Sequence, residues 1–283
     1  MSKAKVSIIT VCHNSMAVLP TMLRSIPADT PVILVDNASP DTSALRELAA
    51  SRGATLKLND KNVGFGVACN QGAAEADTEF LLFLNPDAEL QTDALGALIE
   101  AAQNFPNASA FNPRILDAKG RQSFRRGSKL KPHERLKGPA PARDSEVSIL
   151  AGSAIFCRRD LFEKIGGFDP AIFMYHEDDD LSLRLREYGP LMYCHNAQVL
   201  HLSGHGSPRS PEIAAFKAYY SARSRIYTLT KYDHPRPKLS TFCTAILRLL
   251  SPDTLISSRK RAKNLGFMRG TMSALQDGGR HKQ

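Results

Sequence analysis

The first 115 residues alternate short apolar runs, rich in β-branched side chains, with stretches of helical periodicity. The runs predict strands at Val6–Val11, Pro31–Asp36, Thr55–Asn59, Glu79–Leu84 and Ala108–Ile115. The intervening stretches predict helices at Met16–Ser25, Pro40–Ser51, Gly64–Ala76 and Thr92–Asn104. Strands that alternate with helices pair in parallel through helical crossovers. The pattern therefore predicts an α/β domain with a mostly parallel, Rossmann-like central sheet flanked by helices.

The rest of the chain is less regular. Residues 117–146 lose periodicity and gather Lys, Arg, Pro and Gly, which predicts a long loop over the sheet. Further strands are predicted at Val147–Cys157, Leu191–Cys194 and Ala197–His201, and helices at Arg159–Ile165, Asp178–Tyr188, Glu212–Lys231 and Leu239–Leu250. We therefore predict a main domain over residues 1–208 and a basic α-helical C-terminal extension over residues 209–283.

Several classes of protein are disfavoured by composition. The uncharged apolar runs are far shorter than the roughly 20 residues of a membrane-spanning helix. The apolar run after Lys3 and Lys5 is too short for a signal sequence, so a cytoplasmic location is expected. The five cysteines are scattered and never spaced C-x-x-C, which argues against a disulfide framework and a zinc site.

The formal charge of +9 is concentrated at the C-terminus. Residues 209–283 carry 15 Lys and Arg against 4 Asp and Glu, a net charge of +11, so the first 208 residues sum to −2. Clustered cations can bind nucleic acid, anionic lipid headgroups or a phosphorylated acceptor. No nucleic-acid-reading motif is recognisable, and the basic residues are not interleaved with stacking aromatics, so nucleic acid is not the expected partner.

Polar clusters follow the predicted strands of the first half. They read His13-Asn14-Ser15, Asp36-Asn37-Ala38-Ser39, Asn62-Val63-Gly64 and Asn85-Pro86-Asp87. Taken singly, the second cluster could cap the next helix and the third could be a turn. Ligands of parallel α/β sheets bind beyond the carboxyl ends of the strands, so the four clusters together predict a ligand site.

Seven motifs occur in order between residues 6 and 232. They are Val-Ser-Ile-Ile-Thr-Val-x-His-Asn at 6–14, Leu-Val-Asp-Asn-Ala-Ser at 34–39, Asn-Val-Gly-Phe-Gly-Val-Ala-x-Asn-Gln-Gly at 62–72, Leu-Phe-Leu-Asn-Pro-Asp-Ala at 82–88, Gly-Gly-Phe-Asp-Pro at 166–170, Phe-Met-Tyr-His-Glu-Asp-Asp-Asp-Leu at 173–181 and His-Leu-Ser-Gly-His-Gly-Ser at 201–207. With them the chain resembles the family 2 glycosyltransferases, which have the A-type nucleotide-sugar fold, and within them the bacterial rhamnosyltransferase-like group.

The resemblance implies a nucleotide-sugar donor. The implied donor-binding residues are Thr10, His13, Asn14, Asp36, Asn37, Asn62, Gly64, Phe65, Asn70 and Asn85. Arg125 and Arg126 of the long loop could contact the diphosphate or the acceptor, because Arg binds phosphate in a bidentate way, and Arg126 is predicted to join the donor-binding residues. A solvated pair of loop arginines is the alternative.

The resemblance also implies a divalent cation, Mg²⁺ or Mn²⁺, at the donor diphosphate. The family usually binds it through Asp-x-Asp, and here Asn85 replaces the first acid and leaves Asp87. The resemblance offers His201 as a further ligand. The alternative is that His201 and His205 are ordinary loop histidines.

Transfer to a hydroxyl needs a base that removes the proton of the acceptor. By resemblance, Asp178 would be this base and Glu177 an orienting or acceptor-binding acid. The alternative treats Glu177–Asp180 as an acidic first turn of a helix, with Asp180 and Arg184 forming a solvated i,i+4 ion pair.

The expected activity is inverting, non-processive transfer of one sugar to a hydroxyl of a cell-surface glycan or lipid-linked acceptor. Analogy within the family suggests rhamnose from dTDP-rhamnose. Alternatives are a catalytically silent nucleotide-sugar binder and a basic nucleic-acid-binding protein. The basic tail is expected to dock peripherally on the inner face of a bacterial membrane, unless its helices pack on the main domain. Candidate apolar contacts are Tyr219, Tyr220, Phe242, Leu247 and Leu250.

Overall fold

A computed structural model describes residues 4–202 and 210–277 of the 283-residue chain. The strands in these ranges are β1 Val6–Cys12, β2 Val32–Asp36, β3 Thr55–Leu58, β4 Phe80–Leu84, β5 Ala88–Leu90, β6 Ala110–Leu116, β7 Gln122–Ser123, β8 Ser145–Val147, β9 Ala154–Arg158 and β10 Leu191–His201. The helices are α1 Leu19–Arg24, α2 Ser43–Arg52, α3 Phe65–Ala73, α4 Ala94–Asn104, α5 Arg159–Lys164, α6 Glu177–Leu185, α7 Pro211–Lys231, α8 Pro237–Leu249, α9 Asp253–Ile256 and α10 Ser258–Gln276.

All described strands join one sheet in the order β3-β2-β1-β4-β9-β6-β10-β5, with β7 beside β6 and β8 beside β10. Strand β1 pairs in parallel with β2 and β4, β2 with β3, and β6 with β10. Strand β9 is antiparallel to both β4 and β6, so β4, β6 and β10 point the same way. The carboxyl ends of β1–β4 and β10 therefore meet at one edge, which we call the C-terminal edge.

Two apolar cores lie on the two faces of the sheet. Ile8 and Cys12 of β1 pack with α1, α2 and α4, whereas Ile9 packs with α3 and α6. Strands β2 and β4 are buried along their whole length, as expected where helices cover both faces. The predicted α/β class and mostly parallel sheet are confirmed.

The strand predictions were wrong in the second half of the sheet. The predicted strand Val147–Cys157 is two strands, because β8 ends at Val147 and β9 begins at Ala154. The backbone leaves the sheet between them, where the buried Asn112 amide bonds Ala151 and Ala154. The predicted pair at residues 191–201 is one strand, β10, whose register shifts between Cys194 and Gln198.

Shorter elements escaped the periodicity analysis. The predicted loop at residues 117–146 contains β7, the start of β8 and a 3₁₀ turn at Pro132–Glu134. Strand β5 has three residues, too few to display an alternating pattern. All five cysteines are free thiols, and four of them are buried.

The chain divides into two compact units. In the described ranges, the first contains residues 4–169 and 178–202, and the second contains residues 170–177 and 210–277. Within the second unit, the Phe173 ring stacks on Tyr220 with centroids 3.9 Å apart, and Ser224 Oγ donates a hydrogen bond to the Met174 carbonyl oxygen. The predicted boundary at residue 208 falls outside the described residues and stays a prediction. No helix of the described chain has both the length and the apolar character that crossing a membrane requires.

Helices α7 and α10 of the second unit are in backbone contact. Gly266 and Gly270 lie four residues apart, on one face of α10. A Cβ atom at either position would overlap a backbone carbonyl oxygen of α7, that of Ala215 or that of Tyr219. A backbone atom cannot rotate away as a flexible side chain can, so these glycines set the distance between the helices.

We expect Gly270→Ala to lower the free energy of unfolding by about 1–3 kcal/mol, because the added methyl group overpacks the contact with α7. Chemical denaturation measures the change. Arg269→Ala, at the exposed neighbouring position of α10, is the control and should stay within about 0.5 kcal/mol of wild type. The higher helix propensity of Ala would by itself stabilise the variant. If Gly270→Ala proves more stable than wild type, the close contact with α7 is contradicted.

Candidate active site

Asn37 holds the turn at residues 62–64 against the end of β2. Its Nδ2 donates to Asn62 Oδ1 at 2.9 Å and to the Gly64 carbonyl oxygen at 3.2 Å. Its Oδ1 accepts from the Val63 amide at 2.9 Å and from Asn59 Nδ2 at 3.3 Å. Four hydrogen bonds use the full capacity of an amide side chain. Asn37 therefore fixes the conformation of this turn through hydrogen bonds to other residues of the protein.

The loops after β1 and β2 are also tied together. The buried Asp36 carboxylate accepts from the Ser39 amide at 2.8 Å and from Ser39 Oγ at 2.5 Å. Ser39 Oγ in turn accepts from the Asn14 amide at 2.8 Å, and His13 Nδ1 lies 3.0 Å from the Asn37 carbonyl oxygen. Asp36 thus closes a local turn and does not cap α2, whose N-cap is Thr42.

A cleft of about 230 Å³ opens beside these loops. Its walls include Cys12, Asn14, Ser15, Asp36, Ser39 and Leu45. The cleft is smaller than the roughly 300–1,000 Å³ of a complete ligand pocket, so it can hold one part of a nucleotide. Two of the predicted donor-binding residues, Asn14 and Asp36, line it.

The predicted turn at residues 62–65 leads directly into α3. Gly64 has φ 88°, a left-handed conformation that suits glycine. Asn62 Oδ1 accepts a hydrogen bond from the Gly64 amide at 3.0 Å, and Phe65 begins α3. The Phe65 ring packs edge-on against Phe168, with centroids 6.0 Å apart.

Three predicted donor-binding side chains make other contacts. Thr10 is fully buried in β1. The Asn70 amide pairs with the backbone N and O of Phe168, each at 2.8 Å. Arg126 Nε donates to the Gly138 carbonyl oxygen at 3.1 Å. The structure does not bring these side chains into the cluster around Asn37, and their contact with a donor stays a prediction.

Asp87 and His201 meet at the C-terminal edge. His201 ends β10 and pairs with Ala88 of β5, directly after Asp87. His201 Nε2 lies 3.2 Å from Asp87 Oδ1, and their side chains are 18% and 8% exposed. The Asn85 amide donates to the Ser153 carbonyl oxygen at 3.0 Å, so Asn85 borders the turn before β9. His205 lies outside the described residues.

Asp178 stands at the start of α6 with its carboxylate bound on both oxygens. Oδ2 accepts from Arg125 Nη1 at 2.5 Å and from the Gly152 amide at 3.1 Å. Oδ1 accepts from the Asp179 amide at 2.9 Å. The Asp178 side chain is 19% exposed, whereas that of Asp179 is 4% exposed and bound to Arg125 Nη2 at 2.6 Å.

The remaining acids of the run have separate surroundings. Asp180 is fully buried, and its Oδ2 accepts a hydrogen bond from Arg184 Nε at 2.8 Å and lies 2.6 Å from Arg184 Nη2, so the predicted i,i+4 pair exists but is not solvated. Glu177 is the first residue of α6 and belongs to the second unit, whereas Asp178 and the rest of α6 belong to the first unit. Burial, together with the charge of Glu177, raises the pKa of Tyr175 above its ordinary value. Tyr175 and His176 both have left-handed backbones, with φ 67° and 70°.

Sequence reasoning missed the structural contacts of two residues of the site. Arg125 was considered as a contact of the diphosphate or the acceptor, but its binding to the acids of α6 was not foreseen. Burial alone would lower its pKa, but the charges and hydrogen bonds of Asp178 and Asp179 together raise the pKa above its ordinary value. Asn112 holds the turn that carries Gly152. The strand that contains Asn112 also contains Arg114, so the sequence offered no signal that singled out Asn112.

Comparison with known proteins agrees with this geometry. The model of the family "Glycosyl transferase family 2" matches residues 7–166. An N-acetylglucosaminyl-diphospho-decaprenol L-rhamnosyltransferase of Mycobacterium tuberculosis is 31% identical over 215 residues, which cover 64% of this chain and 69% of that protein. Rhamnosyltransferase WbbL of Escherichia coli K12 is 28% identical over 263 residues, 81% of this chain and 97% of that protein.

Solved structures with low sequence identity share the fold. GalNAc-T7, crystallised with UDP, GalNAc and Mn²⁺, superposes with a TM-score of 0.60 at 16% identity. The match covers 99% of this chain, and the chain spans 58% of the length of GalNAc-T7. The fold is thus that of the A-type glycosyltransferases.

The sheet, the polar C-terminal edge and these matches define a nucleotide-sugar glycosyltransferase. The chain belongs to glycosyl transferase family 2 and, within it, to the rhamnosyltransferase-like group.

The pair formed by Asp87 and His201 fits a divalent cation that is shared with a substrate. No group of three or more His, Cys, Asp and Glu side chains suited to a metal occurs in residues 4–202 and 210–277. Mg²⁺ and related cations are commonly held by one or two carboxylates together with substrate phosphates. One carboxylate and one imidazole nitrogen at the C-terminal edge suit that mode of binding, in which a diphosphate supplies further ligands.

We expect Asp87→Asn to weaken Mn²⁺-dependent binding of dTDP about tenfold, because the amide lacks the charge of the carboxylate. A tenfold loss removes about 1.4 kcal/mol of the stabilisation that the ligands give, which thermal unfolding with and without Mn²⁺ measures. Asp29→Asn, on an exposed loop before β2, is the matched control. An undiminished Mn²⁺-dependent shift in Asp87→Asn would rule out Asp87 as a ligand.

Proposed function

We propose that this protein transfers a single rhamnose from dTDP-rhamnose to a hydroxyl of a lipid-linked glycan, with inversion at the anomeric carbon. The observation that carries the proposal is that one sheet edge gathers the Asp87–His201 pair and the Asp178 carboxylate. The names of two relatives, both rhamnosyltransferases, support the donor sugar. The lipid-linked acceptor in the name of the mycobacterial relative supports the acceptor class and a role in polysaccharide biosynthesis.

Asp178 is the proposed base. Oδ2 accepts two hydrogen bonds and Oδ1 accepts one, so Oδ1 retains a lone pair. The acceptor hydroxyl gives its proton to Oδ1, its oxygen bonds the anomeric carbon, and the bond to the donor diphosphate breaks. The diphosphate leaves with the electron pair. A direct displacement of this kind inverts the anomeric centre and needs a single base.

Around the leaving diphosphate, Asp87 and His201 are the residues that would hold Mg²⁺ or Mn²⁺. The cation would neutralise the negative charge that develops on the diphosphate. The nearby backbone link between Asn85 and Ser153 fixes the loop that carries Asp87. The cleft bordered by Asn14 and Asp36 is the proposed position of the nucleobase or the ribose of the donor.

Turnover by Asp178→Asn tests the mechanism. We expect kcat to fall by about 10²–10⁴-fold, because the amide cannot accept the proton, while binding of dTDP stays close to wild type. Release of dTDP from dTDP-rhamnose in the presence of a lipid-linked N-acetylglucosaminyl acceptor gives the rate, and NMR of the product gives the anomeric configuration. Glu187→Gln, exposed beyond α6, is the control.

Four results would each overturn a part of this proposal. Wild-type turnover by Asp178→Asn would remove Asp178 as the base, and retention of configuration would remove direct displacement. Binding of dTDP-rhamnose without transfer to any acceptor would favour the silent nucleotide-sugar binder. A faster reaction with another nucleotide sugar would replace the proposed donor.

An exposed apolar corner in the second unit supports a membrane-bound acceptor. At the end of α8, Leu247 and Leu250 are 69% and 74% exposed, and Leu255 and Ile256 of α9 are 81% and 83% exposed. Four large aliphatic side chains in ten residues form an unusual surface for a protein in water. Two other candidates for this role make contacts within the protein: the Tyr219 hydroxyl donates to Ser273 Oγ, and the Tyr220 ring stacks on Phe173.

Cations adjoin the corner along the chain. Arg259, Lys260, Arg261 and Lys263 are exposed at the start of α10, and Lys260 also pairs with Asp253. Apolar side chains next to clustered cations are typical of surfaces that lie on anionic bilayers. We therefore propose that the corner inserts into the inner face of the membrane, where a lipid-linked acceptor is anchored.

Vesicle co-sedimentation tests the corner. Exchanging Leu255 and Ile256 for Ser should weaken binding to phosphatidylglycerol-containing vesicles at least about tenfold, because each buried aliphatic side chain contributes about 1.5–3 kcal/mol. Met272→Ser, which changes an exposed residue in the last turns of α10, is the control. Binding that the double variant does not change would overturn the insertion, as would equal binding of wild type to neutral vesicles.

A further inference from the structure

Arg125 bridges two adjacent carboxylates at the start of α6. Its Nη1 donates to Asp178 Oδ2 at 2.5 Å and to the Leu150 carbonyl oxygen at 3.1 Å, while Nη2 donates to Asp179 Oδ1 at 2.6 Å. The Arg125 side chain is 29% exposed. A planar guanidinium held at three points has a fixed orientation, and it fixes the orientation of the carboxylates that it binds.

The contacts of Asp178 differ between its two oxygens. Arg125 and the Gly152 amide occupy the lone pairs of Oδ2, whereas within the described part of the chain Oδ1 accepts a hydrogen bond from the Asp179 amide alone. Each carboxylate oxygen has two lone-pair sites. The arrangement therefore leaves Oδ1 as the oxygen able to take a proton.

Charge gives a second reason for the bridge. Asp178 and Asp179 are consecutive acids with little exposed surface, and like charges at such a separation oppose one another. A cation between them offsets the repulsion between the two carboxylates. Lysine has one compact ammonium group and cannot form the same fork toward two carboxylates.

We propose that Arg125 is a positioning residue that holds Asp178 with Oδ1 directed to the acceptor hydroxyl, an inference that rests on the proposed function. Gly152 completes the arrangement from the other side. A Cβ atom at Gly152 would lie 3.0 Å from Asp178 Oδ2 and 3.2 Å from Asp178 Cβ, so glycine leaves room for the carboxylate.

Chemical rescue tests the role of Arg125. We expect Arg125→Ala to lower kcat on the order of 10²-fold, with the KM for the donor within about twofold of wild type, because the base is misplaced while the donor site is intact. Free guanidinium, below concentrations that unfold the protein, should raise the kcat of Arg125→Ala at least about tenfold by replacing the missing group. Arg125→Lys should recover less than guanidinium does.

Matched variants separate positioning from folding. Arg121→Ala removes an arginine of the same loop that forms an exposed ion pair with Asp117. This variant should leave kcat unchanged. Gly152→Ala keeps every charge and should lower kcat by displacing the carboxylate, while binding of dTDP is retained. Thermal unfolding of each variant shows whether the variant is folded. Guanidinium is also added to Asp178→Asn, which lacks the base itself. No rescue is expected in Asp178→Asn.

The outcomes distinguish this proposal from the proposed function. If Asp178→Asn keeps wild-type turnover, or the wild type transfers no sugar, the proposed function fails and the role of Arg125 fails with it. If Asp178→Asn loses turnover but Arg125→Ala keeps it, the positioning role alone is overturned. A raised donor KM at unchanged kcat would make Arg125 a donor-binding residue, and a rate loss that guanidinium cannot restore would make it a structural one.

Discussion

The parallel pairing of β1 with both β2 and β4 is the constraint on which the site depends. Parallel strands place all their carboxyl ends at one edge, so loops that are distant in sequence meet there. Strand β9 runs the other way, but it lies between β4 and β6, and two reversals restore the direction. Strand β10 therefore brings His201 to the edge at which β4 ends, 114 residues away from Asp87 in sequence.

Two buried asparagines convert that edge into a defined surface. Asn37 uses all four hydrogen bonds of its amide on the turn at 59–64, and Asn112 bonds the turn at 151–154. A buried amide is costly unless its partners are in place, so each turn has one favourable arrangement. The first turn leads to α3, and the second carries Gly152 and Ser153, which contact Asp178 and Asn85. These turns connect the proposed base with the loop of Asp87.

Much of this fold follows from sequence periodicity. The predicted strands and helices of the first 115 residues match β1–β4, β6 and α1–α4 to within a few residues, because β-branched runs and helical spacings are strong local signals. The short strand β5 and the register shift in β10 were missed, because they depend on strand pairing and not on composition. Thr10 shows a related limit: its place in β1 was predicted, but its complete burial is set by the helices that cover the sheet.

The four acids at 177–180 show why a sequence cannot assign roles within a charged run. Successive residues of an α-helix point about 100° apart, so four consecutive carboxylates cannot face the same surroundings. Asp179 and Asp180 are buried against Arg125 and Arg184, while Asp178 keeps part of its surface exposed. Arg184 was visible from the i,i+4 spacing, but Arg125 lies 53 residues before Asp178, and no local pattern links them. Arg125 and Arg184 pair with the buried acids, and Asp178, with 19% of its side chain exposed, is the carboxylate that we propose to meet the acceptor.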